Sequence, residues 1–377
     1  MATGGVLIDS VNQPDVLVVG AGPAGCSAAI RLAQAGCAVT VCESAVFPRR
    51  KVCGGCLSGD AVELLGELLG KMGLSLGTTV ARITFGIGRR SFTASGSERC
   101  RIIPRDVLDA ALAARAEAAG AMLRFGVRAE LTMQGDGRFG IQAAGDGLRP
   151  RWIVWAAGLN GLVMPDQRKQ ESNRRELIGL ACSVAPTEVC PPIGEVAMHW
   201  LRGGYVGLAT VSQEECMVAL AVEKGLTNRI GPWDALRVAN PDVSTLRAID
   251  SPTVRSRLGT ARFPHRPQRV GFGNLLLVGD CVGFEEPFSG EGIGQALRSG
   301  IAAADAILAG GSDAVVLRGY FRELRPHRRV RWRTRWVSHM LRSGPVLALA
   351  EGSIGGLDGL GKHLLKHVHI KPVTKVR

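Results

Sequence analysis

Three stretches of the chain combine residue types and spacings that could do chemistry. The first is Gly20-Ala21-Gly22-Pro23-Ala24-Gly25, with Glu43 following 18 residues after Gly25. Glycines at that spacing allow a tight turn, a close backbone approach to a pyrophosphate and close helix–strand packing. A carboxylate about 20 residues on can accept hydrogen bonds from ribose hydroxyls. This is dinucleotide chemistry, and the motif alone leaves open which dinucleotide. The second stretch is Val46-Phe-Pro-Arg49-Arg50-Lys51-Val-Cys53-Gly54-Gly55-Cys56, a basic cluster running into two cysteines. Zinc needs about four ligands and the chain has no second Cys-x-x-Cys, so no metal is expected there. A redox dithiol needs a depressed thiolate pKa. The remaining reading is a loop that approaches a flat ligand, with Cys53 near the reacting atoms. The third stretch starts at Gly279-Asp280, which ends an apolar run, and continues to Gly290-Glu291-Gly292-Ile293-Gly294. It delivers an acid and then a second glycine-rich turn.

Short elements of alternating type must position these residues. Asp15 to Gly20 reads as a buried parallel strand, residues 26–36 as a helix, and Ala38 to Cys42 as a second strand ending at Glu43. Strand, glycine turn, helix, strand and acid in that order form a Rossmann-like unit whose helix N-terminus favours an anion. Gly273 to Gly279 reads as another strand, with Asp280 at its carboxyl end, where open α/β sheets bind ligands. A helix then runs from the Gly290–Gly294 turn to Leu308. Ile103-Pro104-Arg105-Asp-Val-Leu-Asp109 opens a further helix. A cation at a helix start is poorly placed against the dipole, which favours a ligand role for Arg105.

Taken together, these segments resemble FAD-dependent oxidoreductases of the p-hydroxybenzoate hydroxylase fold, and most of all the geranylgeranyl reductase family. The resemblance runs from about Asp15 to Leu308. It implies FAD as cofactor, with NADPH or NADH as reductant. It implies that Gly20, Gly22, Pro23, Ala24, Gly25 and Glu43 hold the adenine side. Gly279 and Asp280 would contact the ribityl and pyrophosphate. Pro287, Gly290, Glu291, Gly292 and Ile293 would lie beside the isoalloxazine. Arg105 matches the arginine of the family's Arg-x-x-Leu-Asp segment, which touches the cofactor. The Phe-Pro-Arg-x-Lys-x-Cys-Gly-Gly loop would bring Arg49, Cys53, Gly54 and Gly55 along the cofactor toward the flavin ring. Cys53, Gly290 and Glu291 are then the candidate catalytic positions, and no metal is implied.

The chain also departs from that pattern. Ala157 stands where the family's Asp-Gly-x-x-Ser motif has its aspartate, and Gly161 where it has its serine, while Gly158 and Asn160 are kept. This weakens a claim to direct reduction by NADPH. His199 to Ala209 keeps a Gly-Gly-Tyr but not the Trp-x-Phe-Pro that follows it in the reductases. The Trp-x-Trp-x-Ile-Pro signature of the halogenases is missing, so halogenation is not expected.

These assignments predict an α/β (α+β overall) fold. A discontinuous Rossmann-like FAD-binding domain (1–82, 101–176 and 268–330) receives an inserted, mostly antiparallel β substrate domain (83–100 and 177–267). A basic amphipathic helical tail (331–377) follows. The net charge is +13, of which +11 falls between Arg318 and Arg377. Trp332, Trp336, Met340 and Leu341 recur among arginines at helical spacing, a pattern suited to lying on an anionic membrane surface. No recognised nucleic-acid-binding fold accompanies the charge, so no nucleic-acid partner is expected. His363, His367 and His369 lack a nearby carboxylate and read as part of a solvated basic end. No run is long and apolar enough to span a membrane and no basic n-region opens the chain, so the expectation is cytoplasmic, with peripheral contact at the inner membrane face. Ten cysteines fit reduced thiols. The leading functional expectation is reduction of carbon–carbon double bonds in a hydrophobic, polyprenyl-like small molecule. Two alternatives stay open: a monooxygenase hydroxylating an aromatic or polyketide-like molecule, and an electron-transfer or redox-sensing flavoprotein. Oligomeric state is left open.

Overall fold

The structure is a computed structural model. It describes residues 13–325 except 88–89, 97–98, 161–175, 228–229, 242, 251, 263–268 and 284–289. Pro287, the tail beyond residue 325 with its histidines, and Gly161 lie outside the described residues.

Val16–Val19, a run of four buried apolar residues, forms the centre of a six-stranded sheet. It pairs in parallel with Val39–Glu43 on one side and Trp152–Trp155 on the other. Met122–Phe125 and Leu275–Leu277 extend the parallel sheet outward, and Gly271–Phe272 closes one edge antiparallel. Strands buried on both faces need cover on both faces, and the near-continuous apolar runs reflect this. Part of that cover comes from the Pro23–Gln34 helix, which crosses the Gly292–Ala309 helix at very close range. A side chain at Gly300 would collide with the Ala24 carbonyl, and Ser27 donates to the Leu297 carbonyl at 3.2 Å. This crossing brings residues 270 positions apart in the chain together.

The second sheet has seven strands, in the spatial order Arg255–Arg262, Leu177–Val184, Cys216–Glu223, Gly204–Thr210, Glu195–Leu201, Arg82–Ile87 and Arg90–Ser95. It is antiparallel except where Glu195–Leu201 runs parallel to Arg82–Ile87. Its two faces have different neighbours. Ile83, Phe85, Val196, Trp200, Tyr205 and Ala209 pack on one face. Cys182, Val206, Cys216, Val218 and Val222 pack on the other, beneath the Pro232–Ala239 helix and the short Ser244–Asp250 turn of 3-10 helix. Because both faces are buried, Met217–Glu223 is apolar almost throughout.

Met122–Phe125 belongs to the parallel sheet and Ala129–Met133 to a separate three-stranded one. Gly126, at φ +72°, turns the chain between them. The cover over the far face of the seven-stranded sheet is divided between the Pro232–Ala239 helix and the 3-10 turn.

Candidate active site

The glycine turn folds as its spacing demands. Gly20 sits at φ +102°, where a Cβ would lie 2.5 Å from the Ala156 carbonyl oxygen. A Cβ on Gly25 would strike the Gly20 carbonyl, which explains the close helix–strand contact. Gly22 differs from both. The nearest atoms to a Cβ there are Nη2 of Arg105 at 3.8 Å and Nη2 of Arg49 at 3.9 Å. Two guanidinium groups therefore converge over the turn that opens the first helix, a cradle suited to a pyrophosphate.

Two carboxylates organise those cations. Asp109, fully buried, accepts from Arg105 Nε at 2.9 Å and Nη2 at 2.8 Å, and it pairs with Arg49 Nη1 at 3.1 Å. Burial works against the Arg105 charge, but Asp109 outweighs it and holds the guanidinium above its ordinary pKa. Glu43 ends its strand with Oε2 accepting from the Ala21 N–H at 2.8 Å and Oε1 from the Ala45 N–H at 2.9 Å. Arg49 Nη2 lies 3.6 Å from the same carboxylate. Asp280 lines the cavity described below.

Lys51 is the cation without such support. It makes no hydrogen bond or ion pair to another described residue, and it faces the cavity, with Nζ 3.2 Å from the position of a Cβ on Gly158. Crowding by protein, and then the charge of Arg105, push its ammonium below the ordinary lysine value, with Asp280 offsetting part of this. An anion entering the cavity would relieve it.

A cavity of about 220 Å³ joins this polar end to the seven-stranded sheet. At the polar end it is bounded by Gly22, Pro23, Ala24, Arg105, Gly279 and Asp280. The loop from Lys51 to Ser58 forms its middle, and Gly290, Gly292 and Ile293 close the other side. Beyond them it opens onto Ile83, Phe85, Val196, Met198, Tyr205 and Ala209, the apolar face of the sheet. The arrangement gives an anion cradle at one end, a hydrocarbon chamber at the other, and glycine-rich backbone between.

The remaining candidate residues fall as follows. Cys53 lines the cavity, and its sulfur accepts from the Gly55 N–H at 3.3 Å. Cys56 sits under Gly290, and burial drives its thiol up to about 12. That is opposite to what a redox Cys-x-x-Cys requires. Gly54 and Gly55 line the cavity, but Gly55 has a packing reason of its own: at φ +67° its missing side chain makes room for the end of Met217. Glu291 lies between the cavity-lining Gly290 and Gly292, and its carboxylate pairs with Arg298 at 2.6 Å. Sequence reasoning missed Asp109 as the shared anchor of two arginines. It also missed the chamber wall, although Ile83/Phe85 and Val196/Met198 carry the period-2 signal that could have found it.

Residues 13–327 match the model of a family described as an FAD binding domain. The chain is 27% identical over 337 residues to digeranylgeranylglycerophospholipid reductase 2 of Methanopyrus kandleri, covering 81% of each chain. It is 28% identical over 336 residues to menaquinone reductase of Mycolicibacterium smegmatis, covering 80% of this chain and 78% of that one. The solved structure of PqsL from Pseudomonas aeruginosa superimposes with a TM-score of 0.70 at 19% identity, covering 91% of this chain and all of that one. Such a likeness is one of fold.

Proposed function

The chain belongs to the FAD-binding domain family and is an FAD-dependent oxidoreductase, and on that premise we propose that it reduces carbon–carbon double bonds in a hydrophobic, isoprenoid-bearing molecule. Arg49 and Arg105, fixed by Asp109, would hold the pyrophosphate of bound FAD, and Glu43 would take the adenosine ribose. Lys51, Asp280 and the Gly290–Ile293 turn bound the part of the cavity between cradle and chamber. Reduced FAD supplies a hydride when bound. The protein's task is to orient the double bond in the chamber and keep water away from it. The observation that carries this reading is the continuity of one cavity from the charged cradle to an apolar wall of Ile83, Phe85, Val196 and Met198. Two relatives that cover most of the chain are named as reductases of isoprenoid lipids, which supports the same class of substrate.

PqsL, described as a probable FAD-dependent monooxygenase, has the same fold, so oxygen chemistry is the outcome to test against. The FAD-loaded protein is mixed with NADPH or NADH and a geranylgeranyl lipid in an oxygen electrode. Reductant consumption with a saturated product and no substrate-dependent oxygen uptake is expected. Substrate-dependent oxygen uptake with a hydroxylated product would overturn the reading.

A further inference from the structure

The helix Gly292–Ala309 begins at the cavity, with Gly290, Gly292, Ile293 and Ala296 in its wall. The first amides of a helix have no intrahelical acceptor, and the helix dipole leaves that end positive. A carboxylate stands at this end, because Glu291 occupies the N-cap position. Its side chain makes no capping hydrogen bond to the helix amides. It runs along the helix instead, where Oε2 accepts from Arg298 Nη2 at 2.6 Å. Positions 291, 294 and 298 follow one face of the helix. Gly294 leaves room for the two side chains to meet: a Cβ there would lie 3.1 Å from Arg298 Nη2 and 3.5 Å from Glu291 Oε2. Arg298 also reaches toward Asp60 in the first turn of the helix Gly59–Leu69, with Nη1 4.0 Å from Oδ2. The side chains of Glu291 and Arg298 are 14% and 21% exposed, so water screens the pair poorly.

We propose that Arg298 is a positioning residue for the cofactor: it holds the Glu291 carboxylate away from the helix N-terminus and neutralises it, so that the amide end facing the cavity stays positive toward FAD. The inference rests on FAD binding alone and is independent of which substrate the chamber takes. A negative side chain is favoured at a helix N-terminus, so a released Glu291 would fold back over the amides of Gly292, Ile293 and Gly294. There it would compete with an electron-rich ligand for the same positive end and repel it. Reduction adds electrons to the FAD ring system. The reduced form therefore gains more from an open helix end than the oxidised form, and loses more when a carboxylate covers it. Arg298 prevents this in two ways: its Nη2 occupies the carboxylate oxygen, and its charge cancels that of Glu291.

A purely structural ion pair makes a different prediction. If Arg298 only fastened the helix Gly59–Leu69 to the helix Gly292–Ala309, its loss would lower the melting temperature and leave the potential of bound FAD where it was. Positioning through Glu291 moves the potential, because the harm comes from a carboxylate set free beside the cavity. It also predicts rescue: once the carboxylate is replaced by an amide, Arg298 has nothing left to restrain.

The test uses the full chain with FAD bound. The potential of the bound cofactor is read against a reference dye during slow anaerobic reduction, alongside FAD affinity by fluorescence quenching. Arg298→Met is expected to weaken binding of reduced FAD relative to oxidised FAD about tenfold, the scale of a charge at a partly buried helix end, which is a fall of about 30 mV for a two-electron couple. Arg298→Lys, which keeps the charge, is expected to retain most of the wild-type potential. Glu291→Gln alone should leave the potential at or above the wild-type value, since the Arg298 charge then faces no carboxylate at 291. Glu291→Gln combined with Arg298→Met should bring the affinity ratio back to within about twofold of wild type, or about 10 mV. The proposal is overturned if Arg298→Met leaves the potential at or above the wild-type value, or if the double variant falls as far as Arg298→Met alone. Should Arg298→Met fail to retain FAD, Arg298→Gln with and without Glu291→Gln repeats the comparison. Loss of FAD that Glu291→Gln does not repair overturns the proposal as well.

Discussion

Replacing Asp109 with asparagine removes the anchor of the anion cradle while changing side-chain volume very little. The wild-type carboxylate receives three nitrogens: Arg105 Nε at 2.9 Å, Arg105 Nη2 at 2.8 Å and Arg49 Nη1 at 3.1 Å. Asparagine keeps one acceptor oxygen and presents an NH2 group where a guanidinium already donates. At least one charge-assisted bond is lost, at about 1.5–3 kcal/mol. Two buried cations also lose their compensating charge, a change that costs about 3–5 kcal/mol when one partner of a buried pair is removed. The arginines then either turn toward Glu43 and solvent or stay in place less stably. If one of the two Nη2 groups over Gly22 is withdrawn, the cofactor loses a charge-assisted hydrogen bond of about 2 kcal/mol, which is roughly a 30-fold rise in Kd. Quenching of FAD fluorescence on titration into apoprotein measures this directly, and circular dichroism confirms that the variant is folded. A folded Asp109→Asn protein that binds FAD within about twofold of wild type would refute the claim that Asp109 positions the cradle.

Three further outcomes follow from the same geometry. Lys51→Met is expected to act with opposite signs on two readouts. It should stabilise the apoprotein only slightly, because an unpaired charge beside Arg105 is removed but the side chain is exposed in the open cavity, yet weaken FAD binding by roughly tenfold through loss of one charge contact. Because Lys51 binds its proton less tightly folded than unfolded, wild-type apoprotein stability should rise as pH climbs from the folded value toward about 10.4. Melting curves of wild type and Lys51→Met across that range should converge at the alkaline end, and parallel curves would contradict the assignment. Gly207 lines the chamber, and a Cβ there would meet Met198 at an ordinary 3.5 Å, so Gly207→Leu should be accommodated while filling hydrocarbon space. Turnover of a long isoprenoid substrate should fall at least tenfold with FAD affinity unchanged; unchanged turnover would place the substrate elsewhere. For the basic tail, truncation must leave Tyr320 in place, because its hydroxyl donates to the Leu277 carbonyl at 2.6 Å and supports the FAD-side sheet. A chain ending at Arg325 is expected to lose sedimentation with anionic vesicles and keep its flavin, and equal sedimentation would reject the lipid-facing tail.

What could be read in the sequence was local. Gly20, Gly25 and Glu43 sit within one βαβ unit, so their spacing along the chain is nearly their spacing in space. The helix opened by Arg105 was equally plain, because a proline and the apolar period mark its start. What stayed hidden depended on distant partners. Asp109 looks like an ordinary helix residue until Arg49, 60 positions away, is laid against it. The parallel pairing of Glu195–Leu201 with Arg82–Ile87 has no local signature, and it is this pairing that builds the chamber wall. The motif around Glu291 says nothing about Arg298, seven residues on, which pairs with its carboxylate.

The most direct test of the account is an anaerobic single turnover. The FAD-loaded protein is reduced with dithionite, freed of excess reductant and mixed with a geranylgeranyl lipid, while flavin absorbance and product mass are followed. Return of the oxidised flavin spectrum, together with a product heavier by two hydrogens per flavin, is the predicted result. A flavin that stays reduced until air is admitted, and then yields a product carrying an added oxygen, would contradict it.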